Sequence, residues 1–155
     1  MRYVVIILSL SNLFSFSCSD IDVDVDLFRD DPSIQSLNGT WQVVSFEDYE
    51  KDTVEFKNFE NSRNMDINIS FDDQINPHKF SGKNISNSIS GEFECLGKRQ
   101  IKIHNFFTTF VAQPRWADEF IYALNSSPRF KINRYSLIFF YDEEKRSVTL
   151  ERIAD

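Results

Sequence analysis

The stretch Met65-Asp66-Ile67-Asn68-Ile69-Ser70-Phe71 alternates apolar and polar side chains without interruption. Successive side chains of an extended strand point to opposite faces, so the four apolar residues would line a core and the three polar ones would face away from it. The alternation predicts a β-strand that is buried on one face.

Eight further runs of this kind flank it, separated by polar turns in which Asn, Asp and Ser take the place of Gly and Pro. Sixteen phenylalanines and an aromatic content of 15% suit a pleated, layered β core. The two runs nearest the C-terminus are predicted to form a hairpin over 142–145. The eight runs are 40–46, 54–59, 80–84, 89–96, 100–104, 130–133, 136–141 and 147–152.

One segment departs from this alternation. Trp116, Phe120 and Leu124 recur at intervals of four, which is typical of one face of a helix. Pro114 suits the first helical turn, and Asn125 begins the polar Asn-Ser-Ser-Pro stretch that would end the helix. We therefore predict a mainly β (α+β) domain. It is an antiparallel half-barrel or barrel of about seven to nine short strands, closed on its concave side by one amphipathic helix from Pro114 to Asn125.

The first 17 residues are predicted to be a signal peptide. Arg2 precedes an apolar run over 3–16 that is shorter than the roughly 20 residues a membrane-spanning helix needs. The run ends at Ser17 and Cys18, and Cys18 resembles the lipidated cysteine of bacterial lipoproteins. A disulfide between Cys18 and Cys95, the two cysteines of the chain, is the competing interpretation.

Residues 18–36 are predicted to be the lipidated cysteine and an acidic tether, with the folded domain at 37–155. Asp20, Asp22, Asp24 and Asp26 alternate with apolar residues, and their mutual repulsion favours an extended, hydrated chain. A calcium loop is disfavoured, since Val25 stands where such a loop needs glycine. Acidic residues behind a lipidated cysteine resemble a surface-export signal. We therefore expect an outer-membrane location with the domain exposed at the cell surface, and the alternative is a domain that faces the periplasm.

The chain's net charge of −7, with no basic cluster, argues against a nucleic-acid partner. The partners we expect are the membrane, through the lipid on Cys18, and an unidentified envelope protein or small molecule. His78 and His104 stand alone at expected surface or turn positions and cannot complete a metal site, so we expect no metal and no cofactor. Cys95 is expected to be a structural thiol rather than a nucleophile.

No catalytic grouping emerges, and the chain is predicted not to be an enzyme. A hydrolase would need a nucleophile within hydrogen-bond reach of His78 or His104. An aromatic group could instead line a ligand cavity, although core packing is the simpler explanation for it. Its members are Phe106, Phe107, Phe110, Trp116 and Phe120.

Taken in order, several motifs resemble the META domain family, which is also called HslJ-like. They span about 36–153, and each is weak when taken singly. They are Leu37-Asn38-Gly39-Thr40-Trp41, Phe80-Ser81-Gly82, Asn87-Ser88-Ile89-Ser90-Gly91-Glu92-Phe93, Thr108-Thr109, Tyr135-Ser136-Leu137-Ile138-Phe139 and Val148-Thr149-Leu150.

The resemblance implies a compact β half-barrel or barrel closed by one helix, and it implies no reaction. Many members carry a cysteine pair at positions where this chain has Ser86 and Gln113. The resulting prediction is a non-enzymatic, lipid-anchored envelope protein that serves envelope maintenance or stress tolerance through protein or ligand contacts. The alternative is a lipocalin-like binder of a small apolar ligand, because Gly39-Thr40-Trp41 is also similar to the opening of lipocalins.

Overall fold

The computed structural model describes residues 36–97 and 99–153, so the predicted signal peptide, Cys18 and almost all of the tether lie outside the described residues. Within them, nine strands and two helices follow one another along the chain. They are β1 (Gly39–Asp48), β2 (Thr53–Phe56), α1 (Phe59–Ser62), β3 (Ile67–Asp72), β4 (His78–Asn84), β5 (Asn87–Cys95), β6 (Ile101–Thr108), α2 (Arg115–Ser126), β7 (Arg129–Ile132), β8 (Ser136–Tyr141) and β9 (Arg146–Arg152).

The nine strands form one antiparallel sheet in the order β6-β5-β4-β3-β1-β9-β8-β7, with β2 paired to β1 beside this path. The sheet curls into a half-barrel. Its two edges approach each other at one end, where Gln100 and Arg129 form an isolated bridge. Next to the bridge, the Ile101 amide donates to the Pro128 carbonyl at 3.1 Å. The predicted fold class is therefore confirmed.

The alternation that predicted β3 is confirmed residue by residue over most of its length. Ile67, Ile69 and Phe71 are buried, and the polar residues between them are half-exposed. Met65 is the exception, because the strand begins at Ile67 and the Met65 side chain is 38% exposed.

Helix α2 lies within one residue of its predicted bounds and fills the concave side of the sheet. Trp116, Phe120 and Leu124 are almost completely buried. Trp116 meets Phe46 of β1 edge to face, with ring centroids 4.6 Å apart, which is a favourable aromatic geometry. The apolar stripe of the helix thus belongs to the same core as the strands.

The predicted strand over 54–59 is wrong in its second half. The strand ends at Phe56, and the Asn58 side chain accepts from the backbone N–H groups of Glu60 and Asn61 to cap α1. Asn is a strong N-cap residue because its short side chain satisfies helix N–H groups that have no other partner. The apolar side chain of Phe59 therefore starts a helix rather than continuing the strand.

Candidate binding site on the outer face of the sheet

The aromatic side chains singled out in the sequence lie in three different environments. Trp116 and Phe120 belong to the core beneath α2. Phe106 is partly buried and packs against the core, with its ring centroid 6.1 Å from that of Phe80. Phe107 and Phe110 are 67% and 98% exposed, respectively. The structure therefore does not bring these five residues together around one cavity.

Phe107 belongs instead to a row of side chains on the outer, convex face of the sheet. Ser70 is paired with Ser81, Ser81 with Ser90, and Ser90 with Phe107, so the row crosses β3, β4, β5 and β6. Directly opposed residues of antiparallel strands point to the same face. Three hydroxyls therefore lead across the sheet to one exposed aromatic ring.

An irregularity in β6 directs Phe107 to this face. Ser90 pairs with Phe107 but Glu92 pairs with His104, so two residues of β6, Asn105 and Phe106, lie opposite the single Gly91. Asn105 has a φ of 46°, in the left-handed region that Asn tolerates better than most residues. Such β-bulges bend a strand and re-aim its side chains.

Around this bulge the outer face carries an open groove with a volume of about 600 Å³, within the range usual for ligand sites. The serines form its floor. Ile75 of the β3–β4 loop and Phe107 contribute its exposed apolar side chains. The residues that line it are Ser70, Phe71, Asp72, Ile75, Lys79, Phe80, Ser81, Ser90, Gly91, Glu92, Asn105 and Phe107.

A second depression, of about 450 Å³, adjoins the groove. Both are lined by Glu92 and Asn105, and the Asn105 amide donates to the Glu92 carboxylate at 2.7 Å. The second depression also contains His78 and His104. The two histidines are half-buried strand residues rather than turn residues, and they line one site although they lie far apart in the sequence.

The histidines contact a backbone carbonyl and a carboxylate. His78 Nδ1 lies 2.9 Å from the Ile75 carbonyl oxygen, and His104 Nε2 lies 3.5 Å from a carboxylate oxygen of Glu94. Among the described residues, no hydroxyl or thiol is hydrogen-bonded to either ring. Across 36–97 and 99–153, no group of three or more His, Cys, Asp or Glu side chains could hold a metal ion.

Cys95 is half-buried at the end of β5 and has no disulfide partner among the described residues. Burial raises the pKa of its thiol, and the nearby carboxylate of Asp73 raises it further. A raised pKa keeps the thiol protonated and poorly nucleophilic at neutral pH. This agrees with the structural role expected from the sequence.

A buried amide network ties the β4–β5 hairpin to the loop that precedes α2. The Asn87 amide nitrogen donates to the Val111 carbonyl at 2.9 Å and to Gln113 Oε1 at 2.8 Å. Its amide oxygen accepts from the Thr109 hydroxyl at 3.0 Å and from the Val111 N–H at 2.8 Å. Asn84 donates to the Ala117 carbonyl at 3.0 Å. The network fixes where α2 begins and hence how it enters the concave side.

A charged cluster joins the other side of α2 to the β8–β9 hairpin. The Arg146 guanidinium lies 2.8 Å from the Glu119 carboxylate and 3.6 Å from that of Asp142. The Tyr141 hydroxyl donates to the same Glu119 oxygen at 2.8 Å. Burial raises the pKa of Tyr141, and its bond to Glu119 raises it further. Arg146 Nε is buried without a hydrogen-bond partner and lies 3.9 Å from a carboxylate oxygen of Asp48. The other contacts join Glu119 of α2 to the hairpin, so the cluster helps to anchor the helix.

No family model and no curated protein matches this chain. Solved structures do match it. The NMR structure of a protein from Burkholderia xenovorans has a TM-score of 0.65 at 13% identity, covering 81% of this chain and 90% of the other. The crystal structure of a DUF4847 family protein from Bacteroides vulgatus has a TM-score of 0.54 at 24% identity, covering 76% and 94%, respectively. At these identities the likeness shows the fold alone.

Sequence reasoning identified Phe107 but missed the rest of the groove. The outward direction of Ser88, Ser90 and Glu92 was available from the alternation of β5, in which Ile89, Gly91 and Phe93 point inward. The bulge at Asn105 could not be predicted from the sequence, because it depends on how β6 pairs with β5. Neither helix in the described part of the chain is long and apolar enough to cross a membrane.

Proposed function

We propose that this chain is a non-enzymatic, lipid-anchored envelope protein whose META-like domain works by binding at the outer-face groove. The main observation that supports a binding role is the groove itself. An exposed aromatic ring, a β-bulge and a floor of hydroxyls coincide at one place on a sheet whose inner face is already filled by α2. Bulges and exposed aromatic side chains both concentrate at functional surfaces.

The lipid anchor is supported by the sequence of the leader, in which Cys18 follows a short apolar run. Such an anchor would place the domain at the outer membrane, on the cell surface or facing the periplasm. The acidic segment behind Cys18 contains about 18 residues and, when extended, would hold the domain on the order of 50–60 Å from its lipid.

The META-like assignment is supported by contacts between motif positions that are distant in the sequence. Asn87 bonds Thr109, and Gln113 bonds Asn87. Gln113 stands where many family members carry one cysteine of a pair, and Ser86, the other such position, is adjacent to Asn87. In this chain, amide hydrogen bonds would hold together what a covalent pair holds elsewhere.

The lipocalin-like alternative has less support. It needs an apolar cavity on the concave side, where the side chains of Trp116, Phe120 and Leu124 are buried against the strands. The two depressions described above share Glu92 and Asn105 and include none of the residues of α2.

Labelling with a palmitate analogue in a Gram-negative host tests the anchor. Wild type and Cys95→Ala are expected to incorporate the label and to fractionate with the outer membrane, whereas Cys18→Ala is expected to lose it. Cys95→Ala is the matched control because it removes the other cysteine. Equal labelling of Cys18→Ala and wild type would overturn the anchor. Digestion of intact cells by added protease then separates the surface-exposed from the periplasm-facing arrangement.

The envelope role is tested by deleting the gene in its own host and measuring survival in detergent and after heat stress. Wild type is expected to restore survival. Cys18→Ala and Phe107→Ala are expected to restore it poorly, because one loses the anchor and the other loses the exposed ring of the groove. A deletion strain that survives as well as its parent under both stresses would contradict this role.

A further inference from the structure

We infer that the outer-face groove takes a neutral saccharide, an inference that rests on the proposed binding function and names its ligand class. Phe107 supplies a platform for the apolar face of a sugar ring. Ser70, Ser81 and Ser90 supply hydroxyls beside it, one on each of the three neighbouring strands. A ligand that carries both an apolar face and many hydroxyls matches this pairing of groups.

The hydrogen-bonding groups of the groove are of the kind that hydroxyl-rich ligands use. Each serine hydroxyl can donate once and accept twice, the Asp72 and Glu92 carboxylates accept, and the Lys79 ammonium donates. Ser81, Ser90 and Lys79 are exposed, so their polar atoms are available to a ligand. A purely apolar ligand would remove these groups from water without replacing their hydrogen bonds, which costs free energy.

An extended peptide fits the groove less well. Peptides that bind sheets commonly add a strand to a free edge and use main-chain hydrogen bonds for affinity. The floor of the groove lies on β4 and β5, and each of these strands is paired along both sides. β6, which contributes Asn105 and Phe107, is an edge strand, but its bulge interrupts the regular spacing of backbone groups that an added strand would need. The groove therefore meets a ligand mainly through side chains, and the ligand must bring its own polar groups.

The charge of the two adjoining depressions selects against acidic sugars. Asp72, Glu92 and Glu94 contribute three carboxylates, and Lys79 contributes one ammonium group. A uronate or a sulfated sugar would meet net negative charge at close range, which is unfavourable. A neutral saccharide avoids this repulsion. The depressions share Glu92 and Asn105, so a chain of several sugar residues could extend from Phe107 towards His78 and His104.

Affinity electrophoresis of the full chain tests the inference. The protein is purified in a sugar-free polyoxyethylene detergent and run through native gels that contain dextran, mannan or galactan as neutral probes and polygalacturonate as an acidic one. We expect at least one neutral polysaccharide to retard the wild type, and polygalacturonate not to. Phe107→Ala is expected to need about tenfold more polysaccharide for the same retardation, since losing an aromatic contact costs about 1.4 kcal/mol.

Matched variants separate the groove from the general surface. Phe110→Ala removes a ring that is even more exposed than that of Phe107 but does not line the groove, and it should behave as wild type. Ser81→Arg fills the floor and should abolish retardation. Ser88→Arg places the same side chain on the outer face of β5 but outside the groove, so it should leave the retardation unchanged. Melting temperatures close to wild type verify that all four variants fold.

Two outcomes would overturn the saccharide inference. The first is no retardation by any of the neutral probes, and the second is equal retardation of Phe107→Ala and Phe110→Ala. After the first outcome, calorimetric binding of a Lys–Val repeat peptide would identify a peptide as the ligand instead. The lipid anchor is tested separately, by the palmitate labelling. Loss of saccharide binding with palmitate labelling retained would overturn this inference alone, and the converse result would overturn the anchor alone.

Discussion

Replacing Gly82 with alanine tests how closely β3 and β4 approach each other. A Cβ atom added at Gly82 would lie 2.3 Å from the Asn68 carbonyl oxygen and 2.9 Å from the Ile69 Cα atom. Both atoms belong to the β3 backbone, so the clash cannot be relieved by rotating a side chain. It requires the two strands to move apart at the Ile69–Gly82 pair.

The expected loss follows from two opposing effects. Overpacking costs about 1–3 kcal/mol, and a contact of 2.3 Å with backbone places this cost in the upper half of that range, at about 2–3 kcal/mol. Replacing glycine by alanine within a strand normally returns about 0.5–1 kcal/mol. The net loss is therefore about 1–2.5 kcal/mol. A folded unit of about 118 residues has an unfolding entropy near 0.25 kcal/mol/K, so the melting temperature should fall by about 4–10 °C.

Thermal unfolding of the full chain, followed by circular dichroism, measures this fall. Ser81→Ala is the matched control, because Ser81 precedes Gly82 and its side chain is exposed on the opposite face. We expect the control to melt within about 1 °C of wild type, as exposed substitutions usually do. If Gly82→Ala melts at or above the wild-type temperature, the strands are not as close as described.

Two further predictions concern the contacts that position α2. Asn87→Ala removes a buried amide that makes four hydrogen bonds and should cost about 2–4 kcal/mol in urea unfolding. Asn125→Ala, at an exposed position, should lower the free energy of unfolding by less than about 1 kcal/mol. Equal losses in Asn87→Ala and Asn125→Ala would refute the role of the network. Tyr141→Phe should cost about 1 kcal/mol at pH 7 through loss of the bond to Glu119. The pKa of Tyr141 is raised above its ordinary value of 10.0, so the folded state keeps a proton that the unfolded state releases, and wild-type stability should fall as the pH rises above about 10. In melts from pH 8 to 11, Tyr141→Phe should lose less stability over this range than wild type or Tyr135→Phe, and identical slopes would contradict the assignment.

Much of the sheet could be predicted because each strand carries its own alternation. Ile67, Ile69 and Phe71 lie on one face wherever β3 is placed, and the spacing of Trp116 and Phe120 indicates a helix with no tertiary information. Such periodicity is local and follows from backbone geometry. The order of the strands was not available from these patterns.

The candidate site depended on relations between strands, which a single sequence does not display. The presence of His78 and His104 in one depression follows from the pairing of β4, β5 and β6. The exposure of Phe107 follows from one extra residue in one strand of a pair. The sequence around Phe107 contains several adjacent aromatic residues, and only the register separates those that enter the core from those that leave it.

The bulge at Asn105 has a second consequence, for how these molecules behave when they are crowded. β6 is an edge strand, and a long regular edge can pair with the edge of another molecule and begin aggregation. The bridge at Gln100 occupies one end of this edge, and the bulge interrupts the regular spacing of backbone donors and acceptors further along it. A protein concentrated on a two-dimensional surface by a lipid would gain from this interruption. The irregularity that shapes the groove would then also keep neighbouring copies apart.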